Sequence, residues 1–314
     1  MGSARHLVQA SLILIMVVSV FSVLALGSVS GAKGIIKSVG IQGGSSGIGK
    51  AGTGSVAVAA FFSSASSSGA GSFAGRVKPF FAQGNLFSMR GVFSLTQASS
   101  DLIPVLSCAS GEVGAQGIVI AGNFTGQVVV VFGCVGTGVV VGLRIIDVSS
   151  SPFTITYDGQ GVGDTVVSSS PILAGAVLAG NTDGSGSAGT GSIDVAEAVA
   201  VTSDGGLLGG GAFVGTLSGA GAVTRVAGVF VPSDALSFAV FIRLTCSALI
   251  PGVITGGSFL GQPVTTSVSL DTCLPTCPGP QTATGSFTIG TSSNIIYSST
   301  RTHTMTQDCT ISSR

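Results

Sequence analysis

Tryptophan is absent from the 314 residues, tyrosine and histidine occur twice each, and charged side chains make up only 8% of the chain. Each shortage excludes something. Twelve basic residues balanced by twelve acidic ones cannot form the cationic footprint of a nucleic-acid-binding protein. Scarce Glu, Lys and Arg exclude coiled coils and helical solenoids, which draw on those residues for their exposed faces. A mean hydropathy of +0.70 excludes charge-driven disorder. Few groups remain for acid–base chemistry. His6 lies in the apolar N-terminal region, so a Ser–His–Asp triad would depend on His303. Paired carboxylates would have to come from Glu112, Glu197 and ten Asp.

What is abundant is glycine, 50 residues, roughly twice the usual share, set among short β-branched runs. The N-terminus carries Arg5 and His6, then an apolar stretch from Leu12 to Leu26, then small residues ending at Ala32. That order reads as a secretory signal over residues 1–32. An uncleaved anchor is the alternative, because Leu7 to Leu26 just reaches the length of a membrane span. The expected location is secreted or cell-surface.

All six cysteines follow this segment: Cys108, Cys134, Cys246, Cys273, Cys277 and Cys309. An even count in an exported chain suggests disulfides. Cys273-Leu-Pro-Thr-Cys277 is a poor match to zinc-site spacing.

Internal repetition is the strongest pattern. Ala51-Gly-Thr-Gly-Ser55 recurs as Ala188-Gly-Thr-Gly-Ser192, and Gly91-Val-Phe93 as Gly228-Val-Phe230, both 137 residues later. Gly117 to Gln127 aligns without a gap to Gly252 to Gln262, Cys108 to Cys246, and Phe153-Thr-Ile155 to Phe287-Thr-Ile289. A period this long marks tandem domains rather than a solenoid. The reading divides the chain into the signal (1–32), a Gly/Ser-rich segment that starts copy one (33–50), a β domain (51–170) and a second β domain with a disulfide-pinned tail (171–314). The duplication suggests pairs Cys108–Cys134 and Cys246–Cys273, each flanking the shared block, and then Cys277–Cys309; six cysteines allow about fifteen connectivities.

Alternation is clearest in Phe238 to Cys246, where every second residue is apolar, and it recurs in Val128 to Cys134. Asp158-Gly-Gln-Gly161 and Thr182-Asp-Gly184 read as turns between strands. The expected fold is all-β, two tandem β-sandwich domains of jelly-roll type. A parallel β-helix is the runner-up.

Three motifs resemble chemistry. Gly43-Gly-Ser-Ser-Gly-Ile-Gly49 is similar to the cofactor turn of short-chain dehydrogenases. That family's Tyr-x3-Lys is missing: Gly161 follows Tyr157 and Arg301 follows Tyr297 at the lysine position. Gly44 to Lys50 nearly fits a phosphate loop, but Ala51 stands where a hydroxyl is required. Both readings give way to Gly/Ser linker composition. Asp158 with Asp164, or Asp183 with Asn181, could ligate Ca²⁺ but read as surface turns. Asn123-Phe-Thr125 is a glycosylation sequon.

No catalytic, cofactor-binding or metal-binding residue follows from the sequence, and no cofactor is implied. The expected function is a secreted, non-enzymatic structural or surface protein. It would associate with itself or with other surface proteins in a coat, filament or matrix, with strand addition by Lys33 to Lys50 as one route. The alternative is an adhesin-like module that binds carbohydrate or another surface. A secreted hydrolase is the third reading. Contact with membrane is expected only through an uncleaved signal segment.

Overall fold

A computed structural model describes residues 38–63, 69–80, 85–98, 104, 106–170, 172–219, 221–233, 247–270, 280–299 and 303–308. The signal segment, Phe238 to Cys246, Cys273, Cys277 and Cys309 lie outside the described residues.

The first half is a single antiparallel meander: β1 (Ser38–Gly49), β2 (Gly52–Ser63), β3 (Gly69–Lys78), β4 (Phe87–Ala98), β5 (Glu112–Gly122), β6 (Val128–Cys134), β7 (Gly136–Asp147) and β8 (Thr154–Ser168). Each strand pairs with the next, and β8 returns to pair with β1, so the sheet closes.

The second half repeats this path in β9 (Ile172–Gly186), β10 (Gly189–Thr202), β11 (Leu207–Gly219), β12 (Ala222–Pro232), β13 (Ser247–Gly257), β14 (Pro263–Leu270), β15 (Gln281–Thr291), β16 (Asn294–Ser299) and β17 (His303–Asp308). β16 and β17 each pair with β15 on one side and β9 on the other. Together they fill the eighth place, and pairing of β9 with β10 completes the ring.

The molecule is therefore two closed eight-position barrels, and the expected β-sandwiches are corrected. Period-two alternation shows that one face of a strand is buried. It does not distinguish a sheet stacked on another from a sheet rolled on itself. Closure follows from long antiparallel strands that pair in chain order, with first and last strands in register: Val39 opposite Val167, Ile41 opposite Thr165.

Each lumen is filled, not hollow. Val56, Val58, Ala60, Phe73, Met89, Phe93, Val131, Leu143 and Tyr157 belong to the core of the first barrel. Ile193, Val195, Phe213, Phe230, Val264, Phe287 and Tyr297 belong to that of the second. Burying each large apolar side chain stabilises the fold by about 1.5–3 kcal/mol. An apolar lumen is the inverse of a transmembrane barrel, whose interior is polar.

The opposite face of β2 is buried as well. Ala57, Ala59 and Phe61 pack with Val177, Ala196, Ala198, Ala200, Leu208 and Val214 of the second half. Small residues let the barrels come close. A methyl group on Gly40 would lie 2.1 Å from the backbone nitrogen of Gly209.

Two further expectations change here. Gly43 to Lys50 is no linker, because Ser38–Gly49 is hydrogen-bonded on both sides by β2 and β8. Asp158 to Gly161 and Thr182 to Gly184 run through the strands β8 and β9 rather than turning. Their glycines meet neighbouring backbone closely: a Cβ on Gly161 would be 1.9 Å from the carbonyl oxygen of Gly44.

Candidate functional site

The duplicated frame permits a position-by-position comparison of the two lumens. The turn at Gly52 (φ 131°) recurs at Gly189 (φ 124°), fixing an offset of 137 for β2 and β10. The β5–β6 hairpin recurs in every backbone hydrogen bond. Val119 N–H donates to Gln127 O, Gly126 N–H to Val119 O and Gln127 N–H to Phe124 O; Ile254, Gln262, Gly261 and Phe259 repeat the set. Phe124 and Phe259 both take the left-handed conformation, at φ 64° and 65°. The last sequence match, however, fails. Phe153 is exposed in the β7–β8 connection, whereas Phe287 is buried within β15. By strand register, Leu143 opposite Val131 corresponds to Phe287 opposite Thr266.

One polar device is common to both barrels. The Tyr157 hydroxyl lies 3.0 Å from Ser45 Oγ, and Ser45 donates to the carbonyl of Val56. In the second barrel Tyr297 lies 2.9 Å from Thr182 Oγ1, which donates to the carbonyl of Ile193. Ser45, Val56, Thr182 and Ile193 are equivalents at offset 137. With the serine or threonine proton committed to a carbonyl, each tyrosine donates. Burial raises both phenols, Tyr297 to about 12, so both stay neutral. Polar residues thus recur between the copies, and the shifted offset of the eighth strand hides the tyrosines from a comparison at offset 137.

The second polar device belongs to barrel two alone. Glu197 is fully buried on the lumen side of β10, where barrel one has Ala60. Thr266 is buried on β14, where barrel one has Val131. β10 and β14 are four places apart in a ring of eight, on opposite walls. Their surroundings are aromatic. Glu197 is in register with Gly211 and Gly211 with Phe230, whose ring fills the space a Gly211 side chain would take. Phe287 is in register with Thr266, and its ring is 5.9 Å from that of Phe230.

Among the described residues, neither oxygen of Glu197 nor the Thr266 hydroxyl completes a hydrogen bond of ordinary geometry. Desolvation pushes the Glu197 carboxyl up to about 8, with the Thr266 hydroxyl opposing it. The group is therefore mostly a neutral acid at pH 7, able to donate as well as accept.

The third cluster joins the barrels. Arg76 on β3 donates from Nε to Asp194 Oδ1 (3.1 Å) and from Nη1 to Asp183 Oδ1 (3.0 Å), to Ser192, and from Nη2 to the Thr182 carbonyl. Asn181 Nδ2 donates to the carbonyls of Gly75 and Met89 and to Asp194. Burial raises the Asp194 carboxyl to about 6, with Arg76 and Asn181 opposing. Ser72 Oγ donates to the Glu197 carbonyl and accepts from the Glu197 N–H.

The residues singled out from the sequence are distributed as follows. Cys108 and Cys134 form a disulfide with Cα atoms 5.3 Å apart. It ties the segment before β5 to the outer face of β6, where Leu106 packs on Val130, Phe132 and Ile146. Asn123 Oδ1 accepts from the Arg90 N–H, the place that Ser258 Oγ fills by accepting from Ala227. Asp158 pairs with Arg144, Asp164 accepts from the Gly138 N–H, and Asp183 engages Arg76. Asp158 and Asp164 thus have separate partners, and Asp183 and Asn181 serve the contact between barrels. Among the described residues no group of three His, Cys, Asp or Glu could hold a metal ion.

One end of the first barrel is apolar and exposed. The β1–β2, β3–β4, β5–β6 and β7–β8 connections all lie there, and Ile48, Phe80, Leu86, Val148 and Phe153 are each 56–62% exposed. Phe80 and Phe153 are exposed because they lie in connections rather than in alternating runs.

No family model and no curated protein sequence matches the chain. Among solved structures it is similar to kievitone hydratase from Nectria haematococca, at 9% identity over 91% of this chain and 93% of that one, with a TM-score of 0.28. A protein assigned as AttH from Nitrosomonas europaea aligns at 9% identity over 90% of this chain and 99% of that one, with a TM-score of 0.21. Likenesses this distant carry no weight for fold or activity, which rest on the strand pairing and side chains described above.

Proposed function

We propose that the protein is a secreted or cell-surface, non-enzymatic module that works by surface contact, associating with copies of itself through the apolar hairpin end of its first barrel. The observation that carries this reading is the exposure of Phe80, Leu86, Phe153, Ile48 and Val148 at one end. Exposed apolar groups gathered in one region favour contact with another apolar surface. The Cys108–Cys134 disulfide supports an oxidising compartment, and the low charge reduces repulsion between copies. Strand addition by Lys33 to Lys50 is replaced in this reading by side-chain contact, because Ser38–Gly49 has no free edge to offer.

Light scattering across a concentration series tests the reading. The mature chain should gain mass with concentration, and a Phe80→Ser/Leu86→Ser/Phe153→Ser variant should remain monomeric. A wild-type chain that is monomeric at high concentration overturns it.

A further inference from the structure

The hairpin end of barrel one has a counterpart in barrel two, and the two face the same way. A Cβ on Gly40 would lie 2.1 Å from the backbone nitrogen of Gly209, and one on Gly44 would lie 2.8 Å from Val214 Cγ1. β1 and β11 therefore run side by side in one direction, β1 towards its turn into β2 and β11 towards its turn into β12. Arg76, near the hairpin end of β3, reaches Asp183 and Ser192 beside the β9–β10 turn, which sets the two ends level. Barrel two adds Val223, Leu260 and Ile295 to this end of the molecule, 72%, 66% and 43% exposed.

Charge is sorted along the same axis. Lys50, Lys78 and Arg225 are exposed at the hairpin end. The acidic residues near it are engaged within the chain: Asp147 accepts from Ser149, Asp158 pairs with Arg144, and Asp183 with Arg76. Glu112, at the start of β5, and Asp204, in the β10–β11 connection, are exposed at the opposite end. Among the described residues, exposed cations thus stand with the apolar connections, and exposed acids face away from them. From this joint apolar and cationic end we infer an anionic phospholipid bilayer as a further partner, met end-on by both barrels. Apolar tips enter the boundary between headgroups and acyl chains. Lysine and arginine stems reach back to the anionic headgroups. The inference uses the exposure of this end and not its pairing with a second copy, so lipid and copy would compete for one surface.

The test is co-sedimentation of the full mature chain, at a concentration where light scattering shows monomer, with two kinds of vesicle. One is phosphatidylcholine alone and the other phosphatidylcholine and phosphatidylserine in equal parts. Binding to the phosphatidylserine vesicles should be about tenfold or more tighter and should weaken as salt is added. Lys78→Glu/Arg225→Glu and Val223→Ser/Leu260→Ser should each bind those vesicles about tenfold or more weaker, with unchanged thermal unfolding, and Glu112→Gln should bind as wild type. Equal binding to both vesicles, full binding by either double variant, or no binding to either vesicle overturns the inference; the last outcome would leave this end to protein contacts alone. A chain that stays monomeric at high concentration but binds the anionic vesicles would overturn self-association and keep the lipid partner.

Discussion

At the scale of single residues, Glu197 controls how stability varies with pH. An unfolded glutamate titrates near 4.3, whereas the folded group titrates near 8. Between those values the folded state holds one more proton than the unfolded state, so stability falls as pH rises through that window and levels off above it. Asp194, raised to about 6, adds a smaller decline between pH 4 and pH 6. Urea unfolding midpoints should therefore drop by pH 8 relative to pH 5, by a loss on the order of a few kcal/mol. In Glu197→Gln the decline above pH 6 should flatten. An unchanged slope would show that the carboxyl is solvated or paired in solution. Tyr157→Phe and Tyr297→Phe should each cost about 0.5–1.5 kcal/mol, since each removes one buried donor and leaves Ser45 or Thr182 still bonded to a carbonyl. Denaturant unfolding of both variants checks this.

At the scale of elements, the β5–β6 hairpin shows what was legible in the chain. Its block Gly-x4-Gly-x-Phe-x-Gly-Gln was visible as a repeat, and backbone geometry explains it: both copies place Phe in a left-handed turn and anchor that turn to the neighbouring strand through the side chain before it. Asn123→Ser should be nearly neutral, because Ser258 does the same work in the sister hairpin. Asn123→Ala should cost about 1 kcal/mol by leaving the Arg90 N–H without its acceptor; thermal unfolding separates the two. β1 was less legible. Its Gly/Ser composition is that of a linker, and only the nearby walls explain it: a Cβ on Gly43 would lie 2.2 Å from Val141. The match of Phe153 with Phe287 misled for a related reason. Three identical letters cannot show whether they sit in a strand or in the connection before one.

At the scale of the whole molecule, the barrels are joined by alanine-lined faces and by Arg76. Asp194 is 4% exposed at its side chain. Arg76→Ala would strand that carboxylate at the contact between barrels, a loss of about 3–5 kcal/mol when one partner of a buried pair is removed. The loss should be larger at pH 8 than at pH 5, because Asp194 can escape by taking up a proton as the pH falls. Denaturant melts at the two pH values give the comparison. Gly209→Val should destabilise the second barrel, since even a methyl group there would lie 2.1 Å from the carbonyl oxygen of Ala198 on the neighbouring strand β10 and the backbone φ is +75°; thermal unfolding checks it.

The chain by itself determined strand content, the duplication and the spacing of its cysteines, because each is a local pattern that period, composition or order records. Closure into barrels was decided only by tertiary structure: alternation marks one buried face and leaves open what covers it, whether another sheet or the far wall of the same one. Tertiary structure also decided which polar residues matter. Glu197 stands among alanines and valines in Ile193 to Val201, but its partner across the lumen, Thr266, lies far along the chain, and facing positions in a closed barrel are fixed by register rather than by sequence distance.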